Sequence, residues 1–261
     1  MAEDHLKNLP LDQVAGWYRR LADAWSASMP DLHPPLAGAF LRAWVDNRNP
    51  KAAIQFDAPP HLRTSSAVLD TLQFHREVFL TIRKARIGGS EKWAGLLPRI
   101  QGAAGFTKWD MKTELPLEYE SLCDIAPNVL SIAKIQRLGS SGDRDLLGSL
   151  RGFQLKSRAV AFATQVVGNV VTIQFRNWTC SASDRYDWNY DEHFTVVNPD
   201  YQSQALGAVR PQDQTLTVYH SNAKRLEDAA KAAPFDVILR PWPVAEPRIV
   251  GPATIDTTRR L

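Results

Sequence analysis

The chain is short of several features that usually announce a function. It holds two cysteines, Cys123 and Cys180, in 261 residues. Two thiols close one bridge at most, so no disulfide framework is expected, and their separation is not that of a chelating pair. Charge of one sign is also scarce: 31 basic against 28 acidic residues leave a net charge of +3. So even a balance gives no electrostatic argument for nucleic acid, and none is expected as a partner. No run approaches the roughly 18 apolar residues that span a bilayer. The N-terminal MAEDHLKNLPLDQ has no basic segment followed by an apolar one, so synthesis in the cytoplasm without a secretory leader is expected. The glycine-rich GSSGDRD at 139–145 lacks the GK[ST] ending of a phosphate-binding loop and reads as a flexible linker.

What is present is the composition of a globular protein, 44% hydrophobic and 23% charged, with eight tryptophans for a large core or a recognition surface. The pattern predicts an α+β protein. The first half reads helical. LDQVAGWYRRLADAWSA places Val14, Trp17, Tyr18, Leu21, Ala22 and Trp25 on one stripe. PLAGAFLRAWVDN starts a second helix after Pro30, Pro34 and Pro35, and AAIQFDAPPHLRT reads as a loop or short extended piece. SSAVLDTLQFHREVFLTIRKAR predicts a long helix with Ser65 or Ser66 as cap, Gly88-Gly89 as stop, and Arg83, Lys84 and Arg86 at its C-terminal end. SEKWAGLLPRIQG reads as a shorter helix, and further short helices are expected over 115–150.

The period then changes from helical to alternating. SRAVAFATQVV and VVTIQFRNWTC, joined by Gly168-Asn169, predict a two-residue β-hairpin. HFTVVN, LTVYH and FDVILRPW read as strands, and SNAKRLEDAAKAA as a helix capped by Ser221 or Asn222. The expected division is a helical delivery or docking domain at 1–148, a mixed α/β catalytic domain at 149–250, and a tail at 251–261.

One stretch concentrates reactive side chains. SASDRYDWNYDEHF, 181–194, follows the second hairpin strand directly. Loops at strand ends often carry chemistry. Clustered carboxylates suit Mg²⁺, a histidine beside them can move a proton, and a tyrosine hydroxyl can hold a phosphate oxygen. That toolkit suits cleavage of a phosphate ester or pyrophosphate. The competing reading is a solvated turn whose Tyr186, Trp188 and Tyr190 are a packed face.

The spacing Asp184-x-Tyr186-Asp187-x5-His193 resembles the signature of the colicin M family, bacteriocins that degrade lipid II, whose pattern is D-x-Y-D, five residues, then H-R. Here Phe194 stands where the family has arginine, and more chain follows the motif than in that family. The resemblance implies Mg²⁺-dependent cleavage of the undecaprenyl–pyrophosphate linkage. Asp184 and Asp187 would bind metal, Tyr186 would hold phosphate, and His193 would move the proton. Arg176, Arg185 or Lys224 would replace the missing cation, and Trp188 and Phe194 would meet lipid. A more general likeness is to uncharacterised bacterial proteins encoded near type VI secretion genes. Together these imply an antibacterial toxin, made in the bacterial cytoplasm and acting in a target cell's periplasm, with lipid II, a secretion machine and a cognate immunity protein as partners. Two other classes stay open: a metal-dependent nuclease toxin, and a non-enzymatic adaptor or immunity protein.

Two further histidines have simpler readings. His75, mid-helix with no chelating neighbour in sequence, reads as a packed or surface residue. His220, before Ser221-Asn222, sits at a strand-to-helix junction that reads first as a cap, and second as a place from which an imidazole approaches His193.

Overall fold

Gly168 sits at φ +58, in the left-handed region that a tight hairpin turn requires and that glycine enters without a Cβ clash. It lets β5 (Gly152–Val167) and β6 (Val170–Tyr186) run antiparallel from the facing pair Val167 and Val170. A computed structural model describes residues 5–32, 35–80, 84–87, 90–93, 114–168, 170–188, 193–199 and 215–256, so Asn169 lies outside the described residues. As the alternating and helical periods predict, the fold is α+β. The remaining elements are α1 (Leu11–Ser28), α2 (Leu36–Asp46), β1 (Ala53–Phe56), α3 (Pro60–Arg63), α4 (Ser66–Leu80), β2 (Lys84–Ile87) and β3 (Ser90–Trp93). They continue with β4 (Glu114–Asp124), α5 (Val129–Leu138), α6 (Ser141–Ser149), β7 (His193–Val197), β8 (Thr215–Tyr219), α7 (His220–Asp228), β9 (Phe235–Pro243), α8 (Pro247–Val250) and β10 (Ala253–Asp256). A six-stranded sheet has the order β1-β9-β6-β5-β4, with β10 also paired to β6.

By packing, the chain forms two compact units, each drawn from three stretches. The first comprises 1–61, 126–151 and 184–238; the second comprises 62–125, 152–183 and 239–261.

In the first unit the apolar stripe of α1 buries Val14, Trp17, Tyr18 and Leu21, and α2 buries Phe40, Leu41 and Trp44. Such stripes supply most of a helix's stability, since short helices are marginal alone. Helix α7 begins without a side-chain cap, so neither Ser221 nor Asn222 acts as one. Helix α6 is the better-capped element. Ser140 and Asp143 form a reciprocal capping box at its start, so 139–145 is a helix entry rather than a linker.

In the second unit, α4 lies against the sheet and ends at Leu80. Ser65 Oγ caps it, accepting from Val68 N at 3.3 Å. The basic Lys84–Ile87 stretch is not its last turn but a strand, paired antiparallel with Ser90–Trp93 where a helix was expected. The long strand β4 likewise occupies 114–124, where short helices were expected, and pairs with β5 from Glu114↔Phe162 to Asp124↔Gly152. Leu117, Tyr119 and Cys123 are its buried positions, a period of two that its Pro116 and glutamates obscure. The described part of the expected tail, 251–256, is structured: Arg76 donates to the carbonyls of Ile249 (3.1 Å) and Pro252 (3.2 Å), and β10 pairs with residues 170–173 of β6.

One irregularity in β6 decides which way its end points. Val171, Ile173 and Phe175 are buried, and after Asn177 the buried residues become Trp178, Cys180 and Ala182. Asn177 has φ +50, and two residues there oppose one on β5, between the pairs Arg158↔Thr179 and Val160↔Arg176. This is a β-bulge, and it exchanges the two faces of the strand.

Candidate active site at the end of strand β6

Because of the bulge, Asp184 and Tyr186 take the inward-facing parity at the end of β6, while Arg185 and Asp187 face solvent. Without it, simple alternation from Val171 would put Asp184 and Tyr186 outside. Asp184 is half-buried, and burial pushes its carboxyl up from 3.8 to about 6. A hydrogen bond from the Arg185 backbone opposes that rise, and the nearby charge of Asp187 adds to it. This is the polarised state of two neighbouring carboxylates of unequal exposure. Asp187 itself is exposed.

Tyr186 lies against Phe235, their rings 5.5 Å apart and near parallel, with Phe40 edge-on at 5.8 Å. Burial pushes its phenol upward, so the hydroxyl stays a donor at ordinary pH. Trp188 is buried at the middle of an aromatic cluster. Phe194 stacks on it at 5.7 Å, His220 meets it edge-on at 4.8 Å, and Trp44 and Tyr18 lie at 5.2 and 5.9 Å. Among the described residues the Trp188 indole N–H has no hydrogen-bond partner. Phe194 therefore occupies a position where an arginine would push its guanidinium among rings.

His193 opens β7 and is exposed. It stands opposite Tyr219 of β8, the two rings 5.7 Å apart. Alternation sends Phe194 inward and His193 outward. His220, considered as a neighbour of His193, instead has its ring against Trp188 and Phe194. Tyr190 lies outside the described residues, as does all of 189–192.

The cations considered for phosphate each have a carboxylate partner. Arg185 pairs with Asp236 at 2.7 Å and donates to Pro50 O at 2.8 Å. Lys224 pairs with Glu227 at 2.5 Å. Arg176 belongs to the second unit, where it pairs with Glu114 and stands over the Phe162 ring. Among the described residues no group of three or more His, Cys, Asp or Glu is placed to hold a metal ion. Asp184 and Asp187 are two hard oxygen donors, the number that Mg²⁺ takes from protein when water and phosphate complete its shell. They fit that open arrangement and not a closed cage.

Two further polar clusters escaped the sequence reading. In the first unit Asp145, fully buried, accepts from Leu36 N and Ala37 N at the start of α2, each at 2.8 Å, and His61 Nε2 lies 2.8 Å from its Oδ2. In the second unit His75, also fully buried, lies between Ser157 Oγ on Nδ1 and Ser121 Oγ on Nε2, both at 2.7 Å. The Trp178 indole N–H donates to the same Ser157 hydroxyl at 3.2 Å. Burial lowers the His75 imidazole from 6.5 to about 4. The partners of both groups lie dozens of residues away in sequence, so no local motif marks them. Cys123 and Cys180 are free and buried thiols, and burial raises both above the usual range. No described helix is long and apolar enough to cross a membrane. Comparison with family models, with curated proteins and with solved structures found no match to this chain.

Proposed function

We propose that the chain is a hydrolase of a phosphate ester or pyrophosphate, and that the undecaprenyl–pyrophosphate linkage of lipid II is its substrate, which makes it an antibacterial effector. The observation that carries this reading is Asp184: a carboxyl held up to about 6 beside an exposed partner, Asp187, at a strand end. A strongly shifted carboxyl beside an exposed one is what acid–base and metal-assisted hydrolysis needs. Asp187 positions water, His193, exposed at the start of β7, serves the leaving group, and the Tyr186 phenol donates to a phosphate oxygen. Mg²⁺, held by Asp184 and Asp187, would supply charge neutralisation at the pyrophosphate. The colicin M-like spacing of these four residues supports the same reading.

The test is release of undecaprenol from purified lipid II with Mg²⁺, with and without EDTA, beside Asp187→Ala and His193→Ala. Metal-dependent release lost in both variants supports the proposal; no release by the folded protein overturns it. A second property separates a working carboxylate from a structural one. Asp184 binds its proton more tightly folded than unfolded, so its contribution to stability is present below pH 3.8 and lost as pH rises through about 6. Asp184→Asn therefore stabilises the protein above pH 6, by about 1 kcal/mol after allowance for solvent screening, while ending turnover.

One observation favours the non-enzymatic reading, that of an adaptor or immunity protein. Trp188 is buried in packing, and Arg176, Arg185 and Lys224 are ion-paired, so several groups of the proposed site already have structural partners. In that case Asp187→Ala and His193→Ala leave the biological effect intact.

A further inference from the structure

Helix α5 carries two apolar sets instead of one. At about 100° per residue, Ile132 and Ile135 fall on one side and are half-buried, so the helix packs by that side. Leu130, Lys134, Arg137 and Leu138 share an arc of about 100° on the other side, and all four are exposed. Leu130 at 81% and Leu138 at 67% are the most exposed large hydrophobic side chains among the described residues. The helix, VLSIAKIQRL, contains no carboxylate. Neither Lys134 nor Arg137 forms an ion pair among the described residues. On the adjoining α6, Arg144 is exposed, Asp143 is engaged in the capping box and Asp145 is buried.

We propose that this face of α5 docks the protein on an anionic lipid surface. The charge pattern selects that occupant. Cations interspersed among leucines suit a bilayer interface, where leucine side chains enter the acyl boundary while lysine and arginine stems extend to headgroup phosphates. An apolar protein partner would have to bury the same cations. The leucines are eight residues, or about 12 Å, apart. The patch is therefore far smaller than the roughly 800 Å² per partner of a stable protein interface. A shallow wedge helped by charge is enough for reversible membrane attachment. The inference does not rest on the hydrolase reading, because docking is read without turnover.

The experiment is vesicle flotation with phosphatidylcholine alone and with one-third phosphatidylglycerol, at low and high salt. The expected result is binding to the anionic vesicles, weakened by salt, with little binding to the neutral ones. Leu130→Glu with Leu138→Glu should lower binding at least tenfold, and Lys134→Gln with Arg137→Gln about 20- to 30-fold. Leu122→Ser, which removes an exposed leucine elsewhere, should change nothing. All these positions are exposed, and an unchanged unfolding curve confirms that the variants fold. Equal binding to neutral vesicles, or no loss in the α5 variants, overturns the proposal. So does a concentration-dependent dimer dispersed by Leu130→Glu, which would make the face a contact between copies of this chain.

Discussion

In the first unit the fully buried ionisable groups include Asp145; in the second they include His75. Each is tied to segments far away in sequence, yet the partners differ in kind. Asp145 sits where backbone N–H groups converge, at the start of α2, and receives both Leu36 N and Ala37 N. A helix N-terminus is the natural place to bury an acceptor, because its first amides have no partner inside the helix. His75 has only the hydroxyls of Ser121 and Ser157. Hydroxyls satisfy a neutral imidazole but do not compensate a charge, and burial accordingly lowers its proton affinity. The lesson is that the chemistry of the neighbours, more than depth, decides what a buried group can be. It also gives the two units different sensitivities: the first depends on the hydrogen bonds of one carboxylate, and the second on pH.

The largest effect is expected from removing the carboxylate. Asp145→Ala strands two amides of α2 and the His61 ring in the interior and should cost about 4 kcal/mol, read from urea unfolding. A loss below about 1 kcal/mol would break the comparison, since the amides would then have found other partners. Next comes His75. Unfolded, it binds a proton below 6.5, and folded only below about 4. Its contribution is thus present above pH 6.5 and lost as pH falls through about 4. The loss should reach about 3 kcal/mol. Urea unfolding at a series of pH values measures it, and His75→Gln should flatten the slope in that window. The smallest effect sharpens the first. Ser140→Ala removes the cap of α6, the helix that carries Asp145, and should cost about 1 kcal/mol in thermal unfolding. A much larger loss would mean that the cap also fixes the position of the carboxylate.

Elements that repeat one period over many residues were readable in advance. The stripe of α1, the stripe of α4 up to Leu80 and the β5–β6 hairpin with its Gly168 turn all came from spacing alone. Strand β4 was not readable, because Pro116 and three glutamates break the apolar alternation and its burial is decided by pairing with β5. The capping box at Ser140 was visible as Ser-x-x-Asp, but the surrounding glycines suggested a linker. At the candidate site, the residue types of 184–193 could be named from sequence, but not the directions of Asp184 to Asp187. The bulge at Asn177 sets those directions, and an αL asparagine inside a strand leaves no mark in the hydrophobic pattern before the inversion it causes. Asp145 and His75 were illegible for a plainer reason: their partners come from other segments.

The interleaving of the two units bears on heredity. The chain passes from one to the other at 61/62, 125/126, 151/152, 183/184 and 238/239. No single cut in the gene therefore releases either unit whole, and no simple exon-like exchange can replace one while keeping the other. A stop codon at position 253 would delete β10, a strand of the second unit, while leaving every residue of the first in place. The two units must be inherited together, so variation in either is tested by selection against the other.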